Sequence, residues 1–117
     1  MERQLKIKTG SLTRNQKDYL SYAKEKVMLE EKLEKLKQQE EVDESKVKYA
    51  ETELAETIQM LPNCKTRVEG AIEALESFMA TISAEAENEP NKKAMESEDW
   101  TKADDALKQV KEWFETI

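Results

Sequence analysis

Apolar residues recur at heptad spacing, without a break, from residue 47 to residue 82. One set of positions holds Val47, Leu54, Leu61, Val68, Leu75 and Ile82; the interleaved set holds Ala50, Thr57, Cys64, Ala71 and Phe78. Ile58, Ile72 and Met79 run alongside. Alternating steps of three and four put these side chains on one face of an α-helix. At about 1.5 Å per residue, such a helix is a rod of roughly 54 Å. A rod of that length with one apolar stripe must pack against other helices. The chain is therefore expected to work through its surface rather than through a pocket.

The rest of the chain has the same bias. Ala, Glu, Lys, Leu and Arg make up 61 of 117 residues, the composition of long helices and coiled coils. Two Gly and two Pro are too few for a turn-rich β fold. Leu, Ile, Val and Phe total only 22 and the net charge is −7, which borders on a disordered composition. Concentration of the apolar residues on stripes argues for folding, with a thin core between helices and one domain over residues 1–117.

Three helices are expected, at about residues 11–40, 46–86 and 97–115. The first carries Leu12, Tyr19, Leu20, Tyr22, Ala23, Val27, Leu29, Leu33 and Leu36 on a broad face, with an earlier start at Gln4 as the alternative. That breadth suits a helix touching two neighbours. Asp43 and Ser45 are N-cap candidates for the second helix, and the short connection makes helices one and two antiparallel. Asn88, Glu89, Pro90 and Asn91 break the second helix, so residues 87–96 read as a loop. Ser97 then caps a third helix with Trp100, Ala103, Leu107, Val110, Phe114 and Ile117 on its apolar face. Pro62 stands inside the second helix, yet the heptad keeps its phase on both sides. The reading is one helix kinked at Pro62 and convex to solvent. The fold class is all-α: an elongated antiparallel three-helix bundle.

The chemistry of catalysis is missing from the sequence. There is no histidine, the commonest general base and metal ligand. Gly10 and Gly70 are isolated, so no phosphate cradle is present. The acid-first pairs Glu31–Lys35, Glu44–Lys48, Glu98–Lys102 and Asp104–Lys108 are solvated helix faces, each worth about 0.2–0.5 kcal/mol. No catalytic residue, cofactor or metal is expected. Net charge −7 argues against nucleic acid, and no apolar run approaches the roughly 20 residues that span a bilayer. A soluble cytosolic protein is the default. Cys64 reads as a small buried hydrophobe, with a reactive thiol as the alternative. Tyr22 reads as packing in preference to a partner anchor.

Three stretches carry a resemblance. Arg3-Gln4-Leu5-Lys6-Ile7-Lys8-Thr9-Gly10 is followed by Arg14 and Lys17, and Tyr22 precedes Leu29 by seven residues in a Lys/Glu-rich helix. Met60-Leu61-Pro62-Asn63-Cys64 is followed by Arg67-Val68-Glu69. Together they resemble the tubulin-folding cofactor A family, small chaperones that hold β-tubulin. Asn63 and Val68 stand where the family commonly has aspartate and leucine. The resemblance implies a monomeric three-helix bundle that binds β-tubulin released by the cytosolic chaperonin and passes it toward αβ-heterodimers. It implies no nucleotide hydrolysis, a cytoplasmic and cytoskeleton-associated location, and other tubulin-folding cofactors as further partners. Carried onto this sequence, the contact candidates are Arg14, Lys17, Tyr22, Met60, Asn63 and Arg67, although the stems of Met60 and Arg67 could equally cover the seam. The competing reading is a self-associating coiled-coil scaffold or adaptor, which the same heptads would serve.

Overall fold

The computed structural model describes residues 1–117. It is entirely helical, with four helices: α1 Glu2–Lys37, α2 Glu44–Ala84, α3 Glu89–Met95 and α4 Glu98–Phe114. None is long and apolar enough to cross a membrane.

α1 starts well before residue 11. Gly10 lies inside it at a negative φ. A mid-helix glycine costs about 1 kcal/mol relative to alanine. Fully burying Leu5 and Leu12, seven residues apart on one face, outweighs that. α1 ends at Lys37 because no apolar side chain follows Leu36 until Val42, and nothing anchors a further turn. Asp43 caps α2 as expected: its Oδ1 accepts from the amides of Ser45 at 3.0 Å and Lys46 at 3.3 Å. α2 then continues through Pro62 as a single helix of 41 residues. Ser97 caps α4, its hydroxyl accepting from the Trp100 amide at 3.2 Å.

The segment expected as a loop contains α3. Pro90 stops a preceding helix, but in the first turn of a new one its missing N–H is unneeded and its fixed φ is favourable. α2 ends at Ala84, ahead of these residues; Asn88 is the N-cap of α3, and Glu89, Pro90 and Asn91 belong to its first turn. Asn91 secures the corner. Its buried amide donates to the carbonyls of Ile82 at 3.3 Å and Glu85 at 3.1 Å, each of which also accepts a backbone amide, from Glu85 and Asn88 respectively, so the side chain ties the turn after α2 to the start of α3.

The chain divides into two compact units. The terminal unit joins Met1–Gln16 to Thr66–Ile117. Its core comes from every segment: Leu5 and Leu12 of α1, Val68, Ile72, Leu75, Met79 and Ile82 of α2, Ala94 of α3, and Ala103 and Val110 of α4. On α2 the buried positions here advance by four and three, a stripe broad enough for more than one neighbour. Lys8 Nζ sits 5.4 Å from the Phe78 ring centroid, and Lys111 reaches Glu76 of α2 at 2.9 Å.

The hairpin unit is Lys17–Lys65. It holds the later part of α1 and the earlier part of α2, antiparallel across residues 38–43. Lys37 Nζ lies 3.7 Å from Glu51 across the pair. The buried residues are Leu29, Ala50, Thr57 and Cys64. No third helix belongs to this unit, so the expected three-helix bundle does not describe it. The reason is length: the 17 residues of α4 make about 25 Å, against about 60 Å for α2, and all of α4 lies in the terminal unit.

Candidate partner-binding surface

In the hairpin unit the α1 seam reads Tyr19, Tyr22, Lys26, Leu29, Leu33 and Leu36, each at least half-buried. The facing stripe of α2 reads Val47, Ala50, Leu54, Thr57, Leu61 and Cys64. Both alternate steps of three and four, so one helix face meets one helix face. The Thr57 hydroxyl within this seam donates to the Glu53 carbonyl at 3.0 Å, which lets a polar residue sit there without an open hydrogen bond.

Side chains beside the seam stay in solvent. Leu20 and Val27 follow Tyr19 and Lys26 by one residue, which turns them out of the contact; they are 47% and 54% exposed. The sequence places both in the core because a second neighbour would cover them, and this unit has none. Met28 and Tyr49 are still more open, at 59% and 66%, and Ile58 and Val42 are also exposed. Of the large apolar residues facing solvent, only Met1 and Ile7 lie in the terminal unit. Isolated apolar residues on a surface mean little, but a concentration in one unit marks an interaction surface.

The six residues carried from the resemblance fall in both units. Arg14 and Arg67 are exposed in the terminal unit, on α1 and α2. Lys17, Tyr22, Met60 and Asn63 are in the hairpin unit. There Lys17 and Asn63 are exposed, Met60 is half-buried one turn from Asn63, and Tyr22 is half-buried at a seam position. Leu20, Val27, Met28, Tyr49 and Ile58 were not among the candidates. The signal that could have found them is the mismatch between a 17-residue third helix and a second helix more than twice as long.

Reactive groups do not converge. Cys64 is 1% exposed, a buried small side chain in the seam as expected. No group of three or more His, Cys, Asp or Glu is placed to hold a metal ion. Lys108 has its pKa raised by the hydrogen bond and charge of Asp104, 2.9 Å away, but that pair lies exposed on α4. Glu98–Lys102 closes similarly at 3.4 Å. Both are solvated pairs of small energetic weight. What the arrangement offers a partner is apolar and charged area along two helices.

Known proteins share this sequence and fold. The sequence profile described as tubulin binding cofactor A matches residues 1–107. Tubulin-specific chaperone A of Gallus gallus is 37% identical over 109 residues, 93% of this chain and 92% of the relative. The Mus musculus protein of the same name is 37% identical over 92 residues, 79% of this chain and 84% of the relative. Among solved structures, human tubulin chaperone cofactor A superposes with a TM-score of 0.70 at 33% identity, covering 94% of this chain and 97% of its own. Tubulin folding cofactor A from Arabidopsis thaliana gives 0.72 at 29% identity, with 95% of each chain covered.

Proposed function

The chain belongs to the tubulin binding cofactor A family, and from that membership we propose a non-catalytic tubulin-folding cofactor that binds and holds β-tubulin intermediates on the path to αβ-heterodimers. The carrying observation is the hairpin unit: two helices that share a narrow seam and leave large apolar side chains in water. Covering a half-exposed Leu, Val or Ile is worth roughly 1 kcal/mol, about half the value for full burial. A few such contacts give a modest affinity after the cost of association, which suits a protein that must later release its client.

The mixed charges around these residues act mainly on encounter rate and selectivity. In this reading Arg14, Lys17, Tyr22, Met60, Asn63 and Arg67 contribute contacts beside Leu20, Val27 and Ile58. The protein acts as a cytoplasmic monomer and works with other tubulin-folding cofactors. The deciding experiment is capture of unassembled β-tubulin on the immobilised chain, with α-tubulin as control. Retention of β-tubulin in preference to α-tubulin is expected; equal retention or none overturns the reading.

The exposed apolar residues of the hairpin favour one second reading, a self-associating scaffold. Sedimentation separates the two: a stable dimer at micromolar concentration would support self-association, and a monomer the chaperone.

A further inference from the structure

At the connected end of the hairpin two shallow grooves run into one another. One, of about 510 Å³, is lined by Lys32 and Leu36 of α1 and by Ser45, Lys46 and Tyr49 of α2. The other, of about 280 Å³, shares Lys32 and Leu36 and adds Met28, Glu31 and Lys35. Three lysines and one glutamate line the joined groove, in a chain whose net charge is −7. None of the three ammonium groups has a carboxylate partner, whereas other lysines of the chain do. On the α2 side, Asp43 caps the helix and Glu51 faces Lys37, while Glu44, next to Ser45, is exposed and does not line the groove. Between the cations the surface is apolar, with Leu36 half-buried and Met28 and Tyr49 mostly in solvent.

We propose that this groove docks an acidic protein segment carrying one large apolar side chain. Lys32, Lys35 and Lys46 take its carboxylates, and the apolar group seats against Leu36, Met28 and Tyr49. Charge complementarity selects the occupant. A basic segment would meet three cations. An anion with no apolar group would leave Tyr49 and Met28 in water. The groove offers the same chemistry whichever protein supplies the segment.

The test titrates the full chain into a fluorescently labelled synthetic peptide of glutamates flanking a single phenylalanine, followed by anisotropy. Binding is expected to weaken as salt is raised, because these charges are exposed. Replacing the peptide phenylalanine with serine should weaken it further. The variant Lys32→Glu/Lys46→Glu should lose about tenfold or more in affinity, and Lys32→Gln/Lys46→Gln less, with helicity unchanged in both. Amide shifts on peptide addition should cluster over residues 28–49. The proposal falls if the charge-reversed variant binds as well as the original. It also falls if a lysine-flanked peptide or a single-stranded oligonucleotide of equal charge binds as tightly, if the shifts lie elsewhere, or if the peptide does not bind.

Discussion

The two units use the same helix, α2, in different ways. In the terminal unit its buried residues are Val68, Ile72, Leu75, Met79 and Ile82; in the hairpin unit they are Ala50, Thr57 and Cys64. The first set is large and spans more than one heptad position. The second is small and holds strictly to one. The larger residues of the hairpin stripe, Val47, Leu54 and Leu61, are mostly but not fully covered. A helix with several neighbours buries a broad stripe of bulky side chains, and a helix with one neighbour buries a narrow line of small ones. Stability therefore belongs mainly to the terminal unit, and unused apolar surface to the hairpin.

The largest expected effect comes from Leu75→Ala, which opens a void in the better-filled core. It should cost about 2–5 kcal/mol in urea unfolding. A loss below 1 kcal/mol would erase the distinction between the units. In the hairpin, Pro62→Ala restores a donor for the Ile58 carbonyl and should stabilise by about 1–3 kcal/mol. Amide exchange would place that gain in residues 17–65; if the change instead weakens client binding while the fold persists, the proline shapes the binding surface. Asn91→Ala removes a side-chain donor from two carbonyls that keep their backbone amides and should cost about 1 kcal/mol, with protection lost first near Ile82 and Glu85. Gly70→Ala should add about 0.5–1 kcal/mol of thermal stability, since a Cβ there meets nothing within 4 Å. The smallest effect on folding is expected for Leu20→Ala/Val27→Ala, within about 0.5 kcal/mol of the original. The same pair should weaken tubulin capture, and that combination would separate surface use from folding most sharply.

The helical class, the cap residues Asp43 and Ser97, and the continuity of α2 were all legible in the sequence. Each rests on a local rule: heptad phase, a side chain that can accept from a helix amide, and a proline that does not shift register. Two features were not. Pro90 and Asn91 carry the same breaker signature whether they end one helix or start another, and the difference lies in Asn91 reaching back to Ile82 and Glu85. Leu20 and Val27 look like core because periodicity reports a preferred face and says nothing about whether a neighbour is there to cover it. Arg14, Lys17, Tyr22, Met60, Asn63 and Arg67 came from motif likeness, which ranks residues by kinship rather than exposure. Exposure brings forward Leu20, Val27, Met28, Tyr49 and Ile58.

The alanine, threonine and cysteine of the hairpin seam have one more consequence. Such side chains are weak adhesive: they let two backbones lie near one another while removing little hydrocarbon from water. Parting the helices there forfeits less burial than dissolving the whole fold, even with Leu29, Leu33, Leu36, Leu54 and Leu61 in the seam, so opening confined to this unit is expected at a lower free energy than global unfolding. An incoming guest competes with a feeble internal embrace and need not find a rigid mould already shaped to its contours.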